Sequence, residues 1–218
     1  MQNGYTYILL DLDGTVTDSM EGITKSIQYA LKHFGIEVND LNQLRKFVGP
    51  PLKESFMEFC HFNASQAEEG IRKYRERFAD TGIYENVVYP GMEQLLQKLN
   101  EAGKQMMLAT GKPTYYATKI LEHFHLSRYF KFVGGSGLDG SRSHKDEVIQ
   151  YVLENNNIQD LSKVVMVGDR KHDIIGARKI GIDDIGVLYG YGDKEELIQA
   201  GATRIVSSVK ELGQILLQ

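Results

Sequence analysis

Apolar residues along the chain fall into two kinds of run. Short, nearly continuous ones occupy Tyr5 to Asp11, Gln105 to Ala109, Lys131 to Val133, Lys163 to Val167, Ile185 to Leu188 and Thr203 to Val206. Each has the length of a strand, and the absence of strict alternation suits strands buried on both faces. Between most of them lie stretches with apolar positions at helical spacing, an order that predicts an α/β fold with a parallel sheet covered by helices.

One interval breaks that order. From about Thr17 to Glu85 there is no clear strand run. Instead Ile23, Ile27, Ala30, Leu31 and Phe34, then Phe56, Met57 and Phe59, then Ile71, Tyr74 and Phe78 recur at helical spacing. The pattern divides the chain into a core of residues 1–16 and 86–218 and an inserted all-helical segment of residues 17–85. Within that segment Gly35 is placed to end the first helix, and Val48-Gly49-Pro50-Pro51 reads as a rigid turn. Pro90 is placed to begin the helix through Met92, Leu95, Leu96 and Leu99. The aromatic residues Phe56, Phe59, Tyr74 and Phe78 read as packing rather than as a base-stacking platform.

Composition narrows the partners. A chain of 218 residues can hold one substantial domain with a smaller insertion. Its net charge of -4 gives no basic excess for a nucleic acid polymer or an anionic membrane. Cys60 is the single cysteine, which excludes an internal disulfide and fits a reducing compartment. No run approaches the roughly 18 apolar residues a spanning helix needs. The expectation is a cytoplasmic protein, monomeric or weakly homodimeric, acting on a small molecule.

The polar residues with chemical potential stand where strands end. Asp11 closes the first run, Asp13 and Gly14 follow it, Thr110 closes the second, and Asp169 follows the fourth. In an open parallel sheet the carboxyl ends of the strands share one edge, where ligands bind. Carboxylates gathered there repel and lose hydration unless a cation compensates, and a hard divalent ion such as Mg²⁺ is the natural candidate. Asp11 is then a candidate nucleophile and metal ligand, and Asp13 a candidate general acid and base. In Thr110-Gly111-Lys112-Pro113 the hydroxyl and the following turn could hold a phosphate oxygen, or Thr110 could simply cap the next helix. Lys145 opens a helical pattern, a place where a cation is mildly unfavourable unless an anion lies nearby. Asp169 and Asp173, four apart, could respectively reach and brace the cation. Gly135-Ser136-Gly137-Leu138-Asp139-Gly140 matches a dinucleotide-binding glycine pattern, but no acid ends a following strand at the required distance.

Taken together, Asp11-Leu12-Asp13-Gly14-Thr15, Thr110, Lys145 and Gly168-Asp169 through Asp173 resemble, in order and spacing, the four motifs of the haloacid dehalogenase-like hydrolases. The resemblance implies a Rossmann-like core with a helical cap inserted after the first motif. It implies Asp11 as nucleophile, Asp13 as acid/base, and Mg²⁺ held by Asp11, the backbone carbonyl of Asp13, and Asp169, with Asp173 supporting the metal shell. Thr110 and Lys145 would bind the phosphoryl group. The Gly49-Pro50-Pro51-Leu52 turn and the Gly190-Tyr191-Gly192 segment are similar to those of the phosphoglycolate phosphatase branch. Gly111 stands where many relatives have asparagine.

The expected activity is Mg²⁺-dependent hydrolysis of a small phosphorylated metabolite through an aspartyl-phosphate, phosphoglycolate phosphatase-like. The alternatives are a 5'-nucleotidase, a sugar-phosphate mutase and a phosphoacceptor signalling domain. Gly14, Gly111 and Lys112 complete the expected substrate contacts, and Arg45, Pro51 and Lys53 near the cap turn are expected to choose the leaving group.

Overall fold

In the computed structural model, which describes residues 4–218, six parallel strands form one sheet in the order β5-β4-β1-β6-β7-β8. The strands are β1 (Tyr7–Leu10), β4 (Gln105–Pro113), β5 (Phe130–Ser136), β6 (Val164–Gly168), β7 (Asp183–Val187) and β8 (Arg204–Val206). Two short strands, β2 (Thr17–Asp18) and β3 (Val87–Val88), pair separately. The helices are α1 (Met20–His33), α2 (Leu52–Cys60), α3 (Ala64–Arg77), α4 (Met92–Glu101), α5 (Thr114–His123), α6 (Lys145–Asn155), α7 (Lys171–Ile180), α8 (Lys194–Ala200) and α9 (Val209–Leu216). The fold is an α/β, Rossmann-like parallel sheet with an inserted helical part, as the patterning predicts.

The sheet is buried because its strands are apolar on both faces. Ile8, Leu9, Met107, Leu108, Val164, Val165, Met166 and Val167 have no exposed surface. Each such side chain withdrawn from water contributes about 1.5–3 kcal/mol. β1 lies between β4 and β6, with Leu10 level with Leu108 on one side and Val167 on the other. That register brings the residues just beyond Leu10, Leu108 and Val167 to one edge.

By its internal contacts the chain forms two units, Met1–Thr17 with Val88–Gln218, and Asp18–Val87. The second is built on α1, α2 and α3 with a 3-10 turn at Leu41–Phe47 and a π turn at Phe78–Gly82. Its first helix ends as expected: Gly35 adopts a left-handed φ of 74° just beyond it. Asn63 and Gln66 cap α3 reciprocally, at 2.9 and 3.0 Å. A side chain at Gly22 would collide with the Gly82 carbonyl, so α1 and the π turn meet at this bare position. Phe56 and Phe78 are fully enclosed, and Phe47, Phe59 and Phe62 surround Phe56 or one another at ring separations of 5.2–5.8 Å. Phe47, Phe56, Phe62, Tyr74 and Phe78 are core, Phe59 is half-buried against them, and Tyr29 and Tyr84 are exposed.

Several expectations shift in detail. β2 begins at Thr17, where the patterning shows no strand, because two residues are too few for any periodicity. The helix after Pro90 starts at Met92, behind a left-handed Gly91 whose turn is closed by Met92 N donating to the Tyr89 carbonyl. β4 runs on to Pro113 because its last residues pair with β5, with a register shift between Thr110 and Pro113. The Gly137–Ser141 loop folds back on itself, Gly137 N donating to the Ser141 carbonyl at 2.7 Å and Asp139 accepting from Ser141. Among the described residues no helix is long and apolar enough to cross a membrane.

Candidate active site

Asp11 follows the last residue of β1, and its side chain turns into the crevice at the carboxyl edge of the sheet. Its Oδ1 accepts from Leu12 N at 2.8 Å and lies 3.1 Å from Lys145 Nζ. The chain then turns tightly, with Thr15, Val16 and Thr17 N–H groups all directed at the Leu12 carbonyl and Gly14 N donating to Thr17. Gly14 has a φ of 82°, which glycine adopts without strain, and a side chain there would strike Asp169.

Asp169 and Asp173 come from the end of β6. Asp173 sits in the first turn of α7, where its Oδ2 accepts from Arg170 N at 3.1 Å. Asp169 just precedes that helix; its Oδ2 accepts from Tyr191 N at 2.7 Å, while its Oδ1 is buried with no hydrogen-bond partner. Gly190 and Gly192 lie so close to Asp169 that any side chain at either would overlap it. One oxygen of Asp169 is thereby tied and the other presented.

Lys145 is the first residue of α6 and is buried. Its ammonium lies 2.7 Å from Asp173 Oδ1 as well as 3.1 Å from Asp11, and donates to the Ala109 carbonyl at 3.0 Å. The anions that its helix position calls for are these two carboxylates. Burial alone would depress the lysine, but Asp11 and Asp173 outweigh it and hold the ammonium above its ordinary value. Asp169 is raised as well, which in a carboxyl group favours the neutral form: burial, then the charges of Asp173 and Asp11, put it well above the usual carboxylate range. Asp173 is also raised by burial, against the pull of Lys145.

Thr110 is buried in β4 and its Oγ1 accepts from Lys112 N at 3.2 Å. It does not cap the next helix, since α5 begins at Thr114 behind Pro113. Lys112, offered by the sequence only as a substrate contact, reaches Asp13: its Nζ lies 2.9 Å from Asp13 Oδ2, and both residues are only 9 % exposed. No sequence signal foretells this pair, because it depends on how the end of β4 is turned by its pairing with β5. The clamp of Gly190, Tyr191 and Gly192 on Asp169 was legible only as a segment similar to one branch of the resembled family.

Asp11, Asp13, Thr110, Lys112, Lys145, Asp169 and Asp173 thus gather at one edge, with Gly14 and Gly111 in the turns between them. Arg45, Pro51 and Lys53 belong to the Asp18–Val87 unit, where Lys53 pairs with Glu68 at 2.8 Å. Ligand atoms of Asp11, Asp169 and Asp173 lie within 4.8 Å of one another, a buried group suited to a metal ion. The donor set fits a hard divalent ion on two further counts. Four buried carboxylates meet two buried ammoniums, an excess of two negative charges, and the orphaned Asp169 Oδ1 lacks any other partner. The Asp13 carbonyl accepts no backbone bond from the turn around it. Such a site could hold a cation on its carboxylates, bind phosphoryl oxygens through Lys145, and offer Asp11 as a nucleophile.

The chain is similar to known proteins over nearly its whole length. A family profile described as haloacid dehalogenase-like hydrolase matches residues 8–187. A 5'-nucleotidase of Pseudomonas aeruginosa is 43% identical over 212 residues, 97% of this chain and 96% of that one. A crystal structure described as a predicted phosphatase from Clostridium acetobutylicum superposes with a TM-score of 0.96 at 50% identity, covering 99% of each chain. The structure of protein tyrosine kinase A of Mycobacterium tuberculosis is 34% identical with a TM-score of 0.84, covering 98% of this chain and 99% of that one.

Proposed function

This chain belongs to the haloacid dehalogenase-like hydrolases, on the phosphoglycolate phosphatase-like branch, and from that premise we propose that it is a Mg²⁺-dependent phosphomonoesterase working through a phosphorylated Asp11. The observation that carries the reading is the buried convergence of Asp11, Asp169 and Asp173 within 4.8 Å, with Lys145 at hydrogen-bond distance from two of them. Asp11, the Asp13 carbonyl and Asp169 would hold Mg²⁺, with Asp173 supporting them; when bound, the ion supplies charge stabilisation to the phosphoryl oxygens.

The protein's own groups account for the rest. Asp11 Oδ1 is tied by Leu12 N and Lys145, so Oδ2 is the oxygen that attacks phosphorus. The bond from phosphorus to the ester oxygen breaks, and the leaving oxygen takes a proton from Asp13. Water then attacks the acyl phosphate, Asp13 receives the water's proton, and the Asp11–phosphorus bond breaks to release inorganic phosphate. Lys145, the Thr110 hydroxyl and the backbone around Gly14 and Gly111 hold the phosphoryl oxygens throughout.

Within this class we assign a nucleoside 5'-monophosphate as the first substrate to try, because the Pseudomonas aeruginosa relative at 43% identity is named a 5'-nucleotidase. Phosphoglycolate is the second, on the branch resemblance. Residues 17–85 enter the proposal as the substrate-selecting domain, with Arg45, Pro51 and Lys53 as selectors on the sequence pattern alone. The test is phosphate release from nucleoside 5'-monophosphates, phosphoglycolate, sugar phosphates and pyrophosphate, with Mg²⁺ and with chelator. Release only with Mg²⁺, and a ranking that changes in Arg45→Ala and Lys53→Ala, is the expected result. Undiminished release in chelator, isomerised sugar phosphate, a phosphoaspartate lasting minutes, or transfer to tyrosine in place of water would overturn it.

A further inference from the structure

The mechanism above has no task for Lys112. Nothing in attack by Asp11 or in holding the phosphoryl group calls for a second buried ammonium, yet one is built in with care. Lys112 N donates to Thr110 Oγ1, and Ser136 Oγ donates to the carbonyl of neighbouring Gly111 at 2.8 Å. Gly135 abuts the Lys112 carbonyl so closely that a side chain there would collide with it. The backbone on either side of Lys112 is thereby fixed, and its side chain ends 2.9 Å from Asp13 Oδ2. The other carboxylate oxygen of Asp13, Oδ1, is buried and has no hydrogen-bond partner.

We propose that Lys112 is a positioning residue for the leaving-group step, tying Asp13 Oδ2 so that Oδ1 is left as the oxygen that carries the proton. The chemistry follows from donor counting. An ammonium has three donors and no acceptor, so the oxygen it holds can only accept. When Asp13 carries the proton it delivers, that proton therefore sits on Oδ1, the oxygen without a competing partner. Without Lys112 the carboxyl group can turn about its last bond and present either oxygen, and proton delivery loses its fixed geometry. This inference rests on the reading of Asp13 as acid and base.

Esters with different leaving groups separate the possibilities. An alkyl phosphate needs a proton on its leaving oxygen as the bond breaks, whereas p-nitrophenyl phosphate releases a stabilised phenolate that does not. General acid catalysis is worth about 10²–10⁴-fold, so losing its alignment should lower kcat/KM for an alkyl phosphate by roughly 10- to 100-fold. With p-nitrophenyl phosphate, Lys112→Met should change kcat/KM by less than about 3-fold, since little proton transfer is required. Lys112→Arg, which keeps a charged donor, should recover most of the alkyl activity. Lys112→Gln runs beside Lys112→Met because it keeps a donor without the charge and leaves a usable protein if the methionine variant does not fold.

An equal fall on both esters in Lys112→Met or Lys112→Gln, or a full loss in Lys112→Arg, would overturn the proposal and make Lys112 a structural counter-charge. Asp13→Asn is the control for the underlying reading. If that variant shows no bias toward the aryl ester, the acid/base role has failed. If it shows the bias and the Lys112 variants do not, only the positioning role has failed.

Discussion

The charge cluster of the Asp18–Val87 unit closes on itself, while the one at the carboxyl edge of the sheet does not. Glu85 takes two bonds from Arg77, at 2.7 and 2.9 Å, and a third from Lys25 at 3.1 Å. Arg77 also reaches Ser26 Oγ at 3.2 Å. At the sheet edge four buried carboxylates share two ammoniums and Asp169 keeps an unpartnered oxygen. A closed cluster holds a fold together; an open one lowers stability and persists because a ligand completes it. Sign of charge does not separate the two regions, since both mix acids with bases. What separates them is whether the partners are already present.

The comparison can be broken in four ways. Asp11→Asn removes the proposed nucleophile and should lower turnover by about 10⁴- to 10⁶-fold, comparable to loss of other enzymatic nucleophiles. Its far-ultraviolet dichroism should match the parent; a variant retaining activity would show that the open cluster is not the reacting one. Phe56→Ala empties a fully enclosed site in the helical unit and should cost about 3–5 kcal/mol by denaturant titration. A cost near zero would show that this unit does not depend on its aromatic core.

The same acid-to-amide change should then have opposite signs in the two regions. Glu85→Gln strands Arg77 and should destabilise by about 1–3 kcal/mol. Asp169→Asn relieves repulsion and should raise the melting temperature of the metal-free protein while abolishing its rise on adding Mg²⁺. If both variants are destabilised alike, the carboxyl edge is as closed as the Glu85 cluster.

The smallest effect lies in pH. Burial raises Asp169 and Asp173 above the unfolded carboxyl value near 3.9, so between those values the folded protein binds more protons and is favoured by acid. That contribution is fully present below the unfolded value and is lost as pH rises through the folded ones. Mg²⁺ needs the ionised carboxylates, so the thermal shift it gives should be larger at about pH 8 than at about pH 5. His172 has the opposite sense. Burial, with Arg170 and Lys171 nearby, lowers it to about 4. Its share of stability is intact above the unfolded value of about 6.5 and declines as pH falls toward the folded value. His172→Gln should lose less stability than the parent over that interval in thermal melts; an identical decline would remove the histidine from the account.

Sequence pattern carried the sheet far, and the reasons for its shortfalls are local. The runs at Tyr5 to Asp11 and Lys163 to Val167 became β1 and β6 with ends displaced by one or two residues, because strands apolar on both faces announce themselves. β4 extended past Ala109 since Thr110–Pro113 is held by pairing with β5, a tertiary cause absent from its own residues. β2 and β3, of two residues each, are below the length at which alternation exists. Asp11 and Asp169 could be foreseen at one edge because strand ends determine it, while Lys145 was legible from its place at a helix start and Asp173 from its spacing to Asp169. The contact of Lys112 with Asp13 could not, since it turns on a side-chain direction set by a register shift.

The crowding around Asp169 reaches beyond its electrostatics. Gly14 and Gly190 leave no space for even a methyl group beside that carboxylate, and Gly192 leaves none beside the Asp169 backbone carbonyl. A mutational scan of the crevice would therefore meet some of its harshest intolerance at positions that offer nothing to delete, where every one of the nineteen alternatives adds bulk. Hydrogen atoms, in effect, define the wall of the cavity there.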